Sequence, residues 1–163
     1  MEWPLLSSLD DSDRQEFLAL GRRRTFARNE VVCHAGDLAD SLHLIMSGRL
    51  GVYVSLASGD SAMVNVLTPG AYFGELALLR ADSERTATIR TLEAAETLAI
   101  RATAFHQLCR ESPSVERALT VVLADRVDQL SRRLLEVTYV GFDRRLYRRL
   151  LELAQSYGDG RGD

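Results

Sequence analysis

The sequence predicts an α+β fold in which about eight short strands close into a roll or barrel, with a short helix before them and a long helix after. Three observations carry this. Between residues 22 and 100, short apolar alternations are separated at regular intervals by glycine, proline and aspartate turn chemistry. Beyond residue 112, apolar residues recur every three or four positions, which is helical spacing. The composition, 46% hydrophobic and 26% charged, is that of a globular chain.

Taken in order, Trp3-Pro4-Leu5-Leu6 leads through Ser7-Ser8-Leu9-Asp10 to Ser12, the expected cap of a helix running to about Leu20. Phe17, Leu18 and Leu20 give that helix an apolar side. Arg22-Arg23-Arg24 runs straight into Thr25 and Phe26, so it reads as a solvated first strand rather than a nucleic-acid patch. A strand over 30–34 is closed by Ala35-Gly36-Asp37, and one over 41–46 ends at Ser47-Gly48. In the next, over 49–56, Leu50, Val52 and Val54 share one face, and Arg49, Gly51 and Tyr53 the other. Ser58-Gly59-Asp60 is a hairpin turn to a returning strand over 62–67, and Thr68-Pro69-Gly70 turns the chain again. Strands over 86–91 and 96–100 complete the set.

Between the last turn and those strands lie Phe73-Gly74-Glu75-Leu76-Ala77-Leu78-Leu79 and, past a polar loop over 80–84, Arg85-Thr86-Ala87-Thr88-Ile89. Gly74 lets backbone approach a ligand closely because it has no Cβ. Glu75 opens a short apolar run that reads as one helical turn, and the free N–H groups of a helix start favour an anion. Arg85, just ahead of a β-branched segment, is expected at the mouth of a strand, with the Thr86 hydroxyl beside it. An arginine fork, a hydroxyl and free N–H groups suit a phosphate. A carboxylate next to a phosphate needs a donor to face, and a ribose hydroxyl is one, so Glu75 fits there. A phosphate close to a ribose 2′-hydroxyl describes a 3′,5′-cyclic nucleotide. The bland alternative is a strand–turn–strand with a surface ion pair between Glu75 and Arg85.

The two motifs at Phe73–Leu79 and Arg85–Ile89 resemble the phosphate-binding cassette of cyclic nucleotide-binding domains. Their separation is closer to the catabolite activator and fumarate-nitrate regulator family of bacterial transcription regulators than to kinase regulatory subunits. The resemblance spans about residues 5–154. It implies a double-stranded, jelly-roll-like β-roll, with Gly36 and Gly48 matching the family's turn glycines. The ligand-binding residues it implies are Gly74, Glu75, Leu76, Ala77, Arg85 and Thr86. The effector would be cyclic AMP, with cyclic GMP as the second candidate. In catabolite activators a threonine–serine pair on the long helix meets the purine, and the alignment places Leu130 and Ser131 there. Leu130 cannot hydrogen-bond an adenine amino group, which leaves Ser131.

Ala102 to Arg110 reads as a short helix, after which Ser112 is the expected cap and Pro113 the first residue of the long one. Val115, Leu119, Leu123, Val127, Leu130, Leu134 and Val137 form its stripe, widened by Val121, Val122 and Leu135. A helix over 114–139 spans nearly ~40 Å, longer than a small roll needs. One side is expected to pack on the roll and another to meet a partner, giving a homodimer through this helix, as in the resembled regulators. Gly141-Phe142-Asp143 interrupts it, and Asp143 caps a further helix with Arg144, Arg145, Arg148 and Arg149 on one face. In the resembled family this is the first helix of a winged helix-turn-helix. The sequence stops at a flexible tail over 157–163, so DNA would be read only through a domain this chain lacks, and no sequence-selective DNA binding is expected of it. The expected organisation is a nucleotide-binding roll over 1–112, a dimerisation and signal helix over 113–140, and a hinge with the start of the DNA-binding domain over 141–163.

The totals set bounds. A net charge of −3 and a pI of 5.7 leave no overall basic footprint, although every basic side chain is arginine. Cys33 and Cys109 stand apart, in no metal-ligand spacing. They fall short of the four thiolates of the iron–sulfur cluster that some regulators of the resembled superfamily carry. Cys33-His34 reads as a half-buried strand pair rather than a metal site. With no signal peptide or membrane span in sight, the chain is expected to be cytoplasmic and reduced. His34, His43 and His106 join no catalytic set, so an enzyme is the weakest of three readings. The others are a cyclic nucleotide sensor and a ligand-free interaction module on the same roll, or one tuned to another small anion.

Overall fold

The computed structural model describes residues 3–7, 9–55, 59–79, 82–139, 141, 144, 147, 150 and 151. Among them are β1 (Arg22–Phe26), β2 (Val31–Cys33), β3 (Ser41–Ser47), β4 (Leu50–Ser55), β5 (Ser61–Leu67), β6 (Tyr72–Phe73), β7 (Thr88–Thr91) and β8 (Ala95–Arg101). The helices are α1 (Asp11–Ala19), α2 (Ala102–Glu111) and α3 (Pro113–Tyr139). The strands form two antiparallel sheets in the orders β1-β8-β3-β6 and β2-β7-β4-β5. β1 pairs with β8, β2 with β7, β3 with β6 and β4 with β5. Those pairings make the chain one long hairpin with its tip between β4 and β5. The hairpin is wound over so that successive rungs fall in opposite sheets, which is a double-stranded β-roll.

The pleat turns alternate side chains inward, and those from the two sheets meet. Ile45, Phe73 and Ala95 from one sheet pack with Leu50 and Ile89 from the other, and Val52, Cys33 and Leu67 close around them. Burying a side chain of this size contributes about 1.5–3 kcal/mol. A second apolar cluster joins the helices to the site: Leu5, Leu6, Leu9 and Phe17 line one small cavity together with Leu78, Phe105 of α2 and Val115 of α3. The Phe17 and Phe105 rings meet edge to face, 6.0 Å apart.

Several sequence expectations need correction. The cap of α1 is Asp10, whose Oδ1 accepts the Asp13 N–H at 2.9 Å, and not Ser12. Asp10 is extended and its carbonyl already accepts the Arg14 N–H at 3.0 Å, so the helix begins at Asp11 and Ser12 lies inside it. The Asp13 carboxylate accepts from the hydroxyls of Ser112 (2.8 Å) and Ser114. These hydroxyls, Ser114 first and then Ser112, hold the Asp13 carboxyl below its usual value. The strand expected over 86–91 begins only at Thr88, because Thr86 and Ala87 bend. Arg85 accordingly stands in a loop rather than at a strand mouth. Its N–H donates to the Asp37 carbonyl and its own carbonyl accepts from Gly36, both at 2.8 Å. The two-residue β6 has no counterpart among the expected strands. Exposed β1 agrees with the solvated reading of its arginines, Arg23 pairing with Glu96 at 2.9 Å.

The chain divides into two compact units, Met1–Thr120 and Val121–Asp163, with the boundary inside α3. Val115, at the start of α3, is buried. Val121, Val127, Leu130, Leu134, Leu135 and Tyr139, in the second unit, are all exposed. The side chains of Leu119, Val122 and Val137 lie outside the described residues, as do most of the helix expected from Arg144 and the whole tail. Ser58 of the expected hairpin turn is likewise outside, while Gly59 has the positive φ, 89°, that such a turn needs. No described helix is long and apolar enough to cross a membrane.

Candidate functional site

Gly74 sits between β6 and a 3-10 turn, Glu75–Leu78, with φ 83° and ψ 20°. That left-handed conformation is routine only for glycine. Space imposes the same choice. A Cβ built here would lie 2.6 Å from the Ser41 carbonyl oxygen and would overlap Nη1 of Arg85. The missing side chain is therefore where the guanidinium fits, against the backbone that starts the turn.

The turn's first internal bond runs from the Ala77 N–H to the Gly74 carbonyl at 3.1 Å. It offers no internal acceptor for the N–H groups of Glu75 and Leu76. Ala77 and Leu78 are buried, Leu76 is 37% exposed, and Glu75 is half-buried. The turn thus anchors through Ala77 and Leu78 and presents Glu75.

Arg85 crosses to the same place from the other motif. Its side chain is only 7% exposed. Nη2 donates to Ser41 Oγ at 3.1 Å and lies 3.9 Å from an oxygen of the exposed Asp40 carboxylate. Nη1 is buried and has no hydrogen-bond partner among the described residues. A buried charged donor left unpaired costs about 1–3 kcal/mol or more, so such a group stays favourable where an anion can meet it. The surface ion pair between Glu75 and Arg85 is not formed; Arg85 turns to Ser41 and Asp40 instead.

Behind the guanidinium runs a buried polar chain that sequence reasoning did not single out. Ser41 Oγ donates to Asp40 at 2.8 Å and lies 3.3 Å from His43 Nε2, while His43 Nδ1 is 3.0 Å from Thr97 Oγ1. The His43 ring stacks on Phe73, with centroids 4.7 Å apart and planes 10° off parallel. Burial first, then the nearby Arg85 and Arg24 charges, push the His43 pKa down to about 4. One signal was in the sequence: Ser41, His43 and Ile45 share a strand face, and Ile45 belongs to the core between the sheets. Polar residues on a buried face need partners inside.

Of the residues expected at the site, Gly74 and Arg85 are in direct contact, with Glu75, Leu76 and Ala77 on the adjoining turn. Thr86 follows Arg85 and is exposed. Leu130 and Ser131 lie on α3 in the second unit, both exposed. Cys33 packs against the inter-sheet core; burial raises its thiol pKa, and the Arg85 charge draws it partly back.

The model of one protein family, described as the cyclic nucleotide-binding domain, matches residues 23–112, more than half of the chain. The chain is 26% identical over 155 residues to the cAMP-activated global transcriptional regulator Vfr of Pseudomonas aeruginosa, covering 93% of this chain and 70% of that protein. Among solved structures it resembles the catabolite activator protein of Thermus thermophilus, with 27% identity and a TM-score of 0.74 over 94% of this chain and 72% of that one. It also resembles the N-terminal domain of a transcriptional regulator from Streptomyces coelicolor, with 29% identity and a TM-score of 0.69 over 78% and 90% of the two chains.

Proposed function

The chain belongs to the cyclic nucleotide-binding domain family, and on that premise we propose that it is a sensor that takes a 3′,5′-cyclic nucleotide, cyclic AMP first. The observation that carries this is the buried Arg85 guanidinium, with one nitrogen unpartnered and a glycine standing against it. Arg85 receives the cyclic phosphate, helped by the turn's N–H groups and the Thr86 hydroxyl. Glu75, at the head of the turn, accepts from the ribose 2′-hydroxyl. This is a binding module rather than an enzyme: each group holds the ligand, and none attacks it. Leu78, on the same turn, lines one small cavity with Phe105 and Val115 within the helical cluster. A turn that shifts on binding biases the packing at the start of α3, which is the route by which occupancy becomes a signal.

Calorimetric titration with cyclic AMP and cyclic GMP tests the proposal. Saturable binding of cyclic AMP is expected, and heat from neither nucleotide would leave the ligand-free module, or a sensor for another small anion, as the better reading. Discrimination between the two nucleotides is expected to stay below about a hundredfold. A hydrogen-bonding site rejects a mismatched partner far more strongly than an apolar one does, and Leu130 supplies no hydrogen bond. Much stronger discrimination would remove Leu130 from the base site.

Glu75→Gln is expected to weaken cyclic AMP by a smaller factor than loss of Arg85, because a neutral amide oxygen still accepts. With 2′-deoxy cyclic AMP the loss should nearly vanish, since the donor it served is gone. An equal loss with both ligands would take Glu75 off the ribose.

The apolar residues exposed along α3 support a homodimer through this helix. Leu134, 67% exposed, is the residue to test: Leu134→Asp is expected to halve the mass seen by sedimentation. A chain already monomeric before the substitution would overturn the seam. DNA contact and a cytoplasmic place of action belong to the same proposal, as properties of a regulator built around this sensor.

A further inference from the structure

We infer that His43 is a positioning residue, whose ring holds the Ser41 hydroxyl, and through it the Arg85 guanidinium, in the orientation that receives an anion. The inference rests on the cyclic nucleotide reading of the same site and adds to it a residue that touches no ligand.

Proton counting fixes the direction of each bond at Ser41. A hydroxyl has one hydrogen to donate and two lone pairs. The Ser41 hydrogen goes to Asp40 Oδ1 at 2.8 Å, and one lone pair takes Arg85 Nη2 at 3.1 Å. His43 Nε2, 3.3 Å from the same oxygen, must therefore carry a proton and donate to the second lone pair. In a neutral ring Nδ1 is then bare, and the fully buried Thr97 hydroxyl donates to it at 3.0 Å. Stacking on Phe73 keeps the ring plane from turning.

Two proton arrangements satisfy these bonds: a neutral ring protonated on Nε2 that accepts from Thr97, and a cation that donates to both hydroxyls. A cation would put two positive groups against one hydroxyl and strip Thr97 of its acceptor. The lowered pKa, caused by burial and by Arg85 and Arg24, keeps the ring neutral well below neutral pH. Nη2 anchored on Ser41 leaves Nη1 facing Gly74, where the free donor is found. A guanidinium without that anchor swings toward the exposed Asp40 carboxylate and loses its aim.

Two variants and one spectrum test this. His43→Phe keeps the stacked ring and removes both nitrogens; it is expected to weaken cyclic AMP about tenfold in calorimetry. His43→Gln, whose amide N–H reaches Ser41 in place of Nε2, is expected to stay within about threefold of the parent, a rescue that a role in packing alone would not give. In nitrogen-15 NMR at about pH 5.5, a unit below the ordinary histidine value, His43 is expected neutral with its proton on Nε2. Parent-like binding by His43→Phe, a Gln variant as weak as the Phe one, or a ring cationic or protonated on Nδ1 would each overturn the inference. Should His43→Phe fail to fold, Thr97→Val takes its place: weaker binding with a mixed ring tautomer supports the relay, and neither change sinks it. If the parent chain binds no cyclic nucleotide, the functional reading falls and takes the inference with it. Parent binding that His43→Phe leaves untouched removes this inference alone.

Discussion

Arg85→Ala is expected to weaken cyclic AMP binding tenfold or more while barely moving the melting temperature of the ligand-free protein. A charge-assisted hydrogen bond contributes roughly 1.5–3 kcal/mol, which is about one to two decades in affinity. The small effect on stability follows from the guanidinium's partners. Truncation loses the bond to Ser41 Oγ, but it also removes a buried nitrogen that has no partner. The two changes oppose each other, each about 1–3 kcal/mol. In a chain of this length a kcal/mol moves the melting temperature by roughly 2–4 °C, so a shift of only a few degrees is expected. Unchanged affinity would dismiss the anion site, and a collapse in melting temperature with it would make Arg85 a structural residue instead.

The second large effect is expected at Gly74, where one methyl group should injure stability and affinity together. Forcing an L-residue to φ 83° costs about 1–2 kcal/mol by itself. The added Cβ also meets the Ser41 carbonyl on β3, which is backbone and cannot yield, and it occupies the space of Arg85 Nη1. Gly59→Ala is the control. Gly59 has a φ of 89°, yet a Cβ there meets nothing within 4 Å. The control should therefore show the backbone cost alone, with affinity intact. Gly74→Ala is expected to melt lower than the control and to bind cyclic AMP at least about tenfold more weakly. If the two variants match in both measurements, crowding around Arg85 has no consequence.

What the sequence made legible is what depends on neighbours in the chain. Gly74, Glu75 and Arg85 stood out because glycine, carboxylate and guanidinium fall within one short stretch, and the β4–β5 hairpin because its apolar alternation and turn residues are local. Ser41, His43 and Thr97 did not, since the bonds that give them meaning span 44 residues (Ser41–Arg85) and 54 residues (His43–Thr97). No window of sequence contains both ends. β6 escaped because two residues cannot display a period. The start of α1 was misplaced for a related reason. Asp10 and Ser12 are both good caps by type, and what separates them is the backbone, extended at Asp10 and helical from Asp11, which residue type alone does not display.

The wound hairpin also grades its pairings by the length of chain each one closes. Contacts cheap in loop-closure entropy lie near the tip, where Ser55 of β4 pairs with Ser61 of β5, while β1 must find β8 across most of the roll. Ser41 belongs to β3, Gly74 follows β6, and Arg85 precedes β7. The three therefore meet around the β3–β6 rung, two rungs from the β1–β8 pair. The candidate cradle is thus in the middle of the hairpin's topology, and an anion held there would also reward the long-range closures that local sequence cannot encourage.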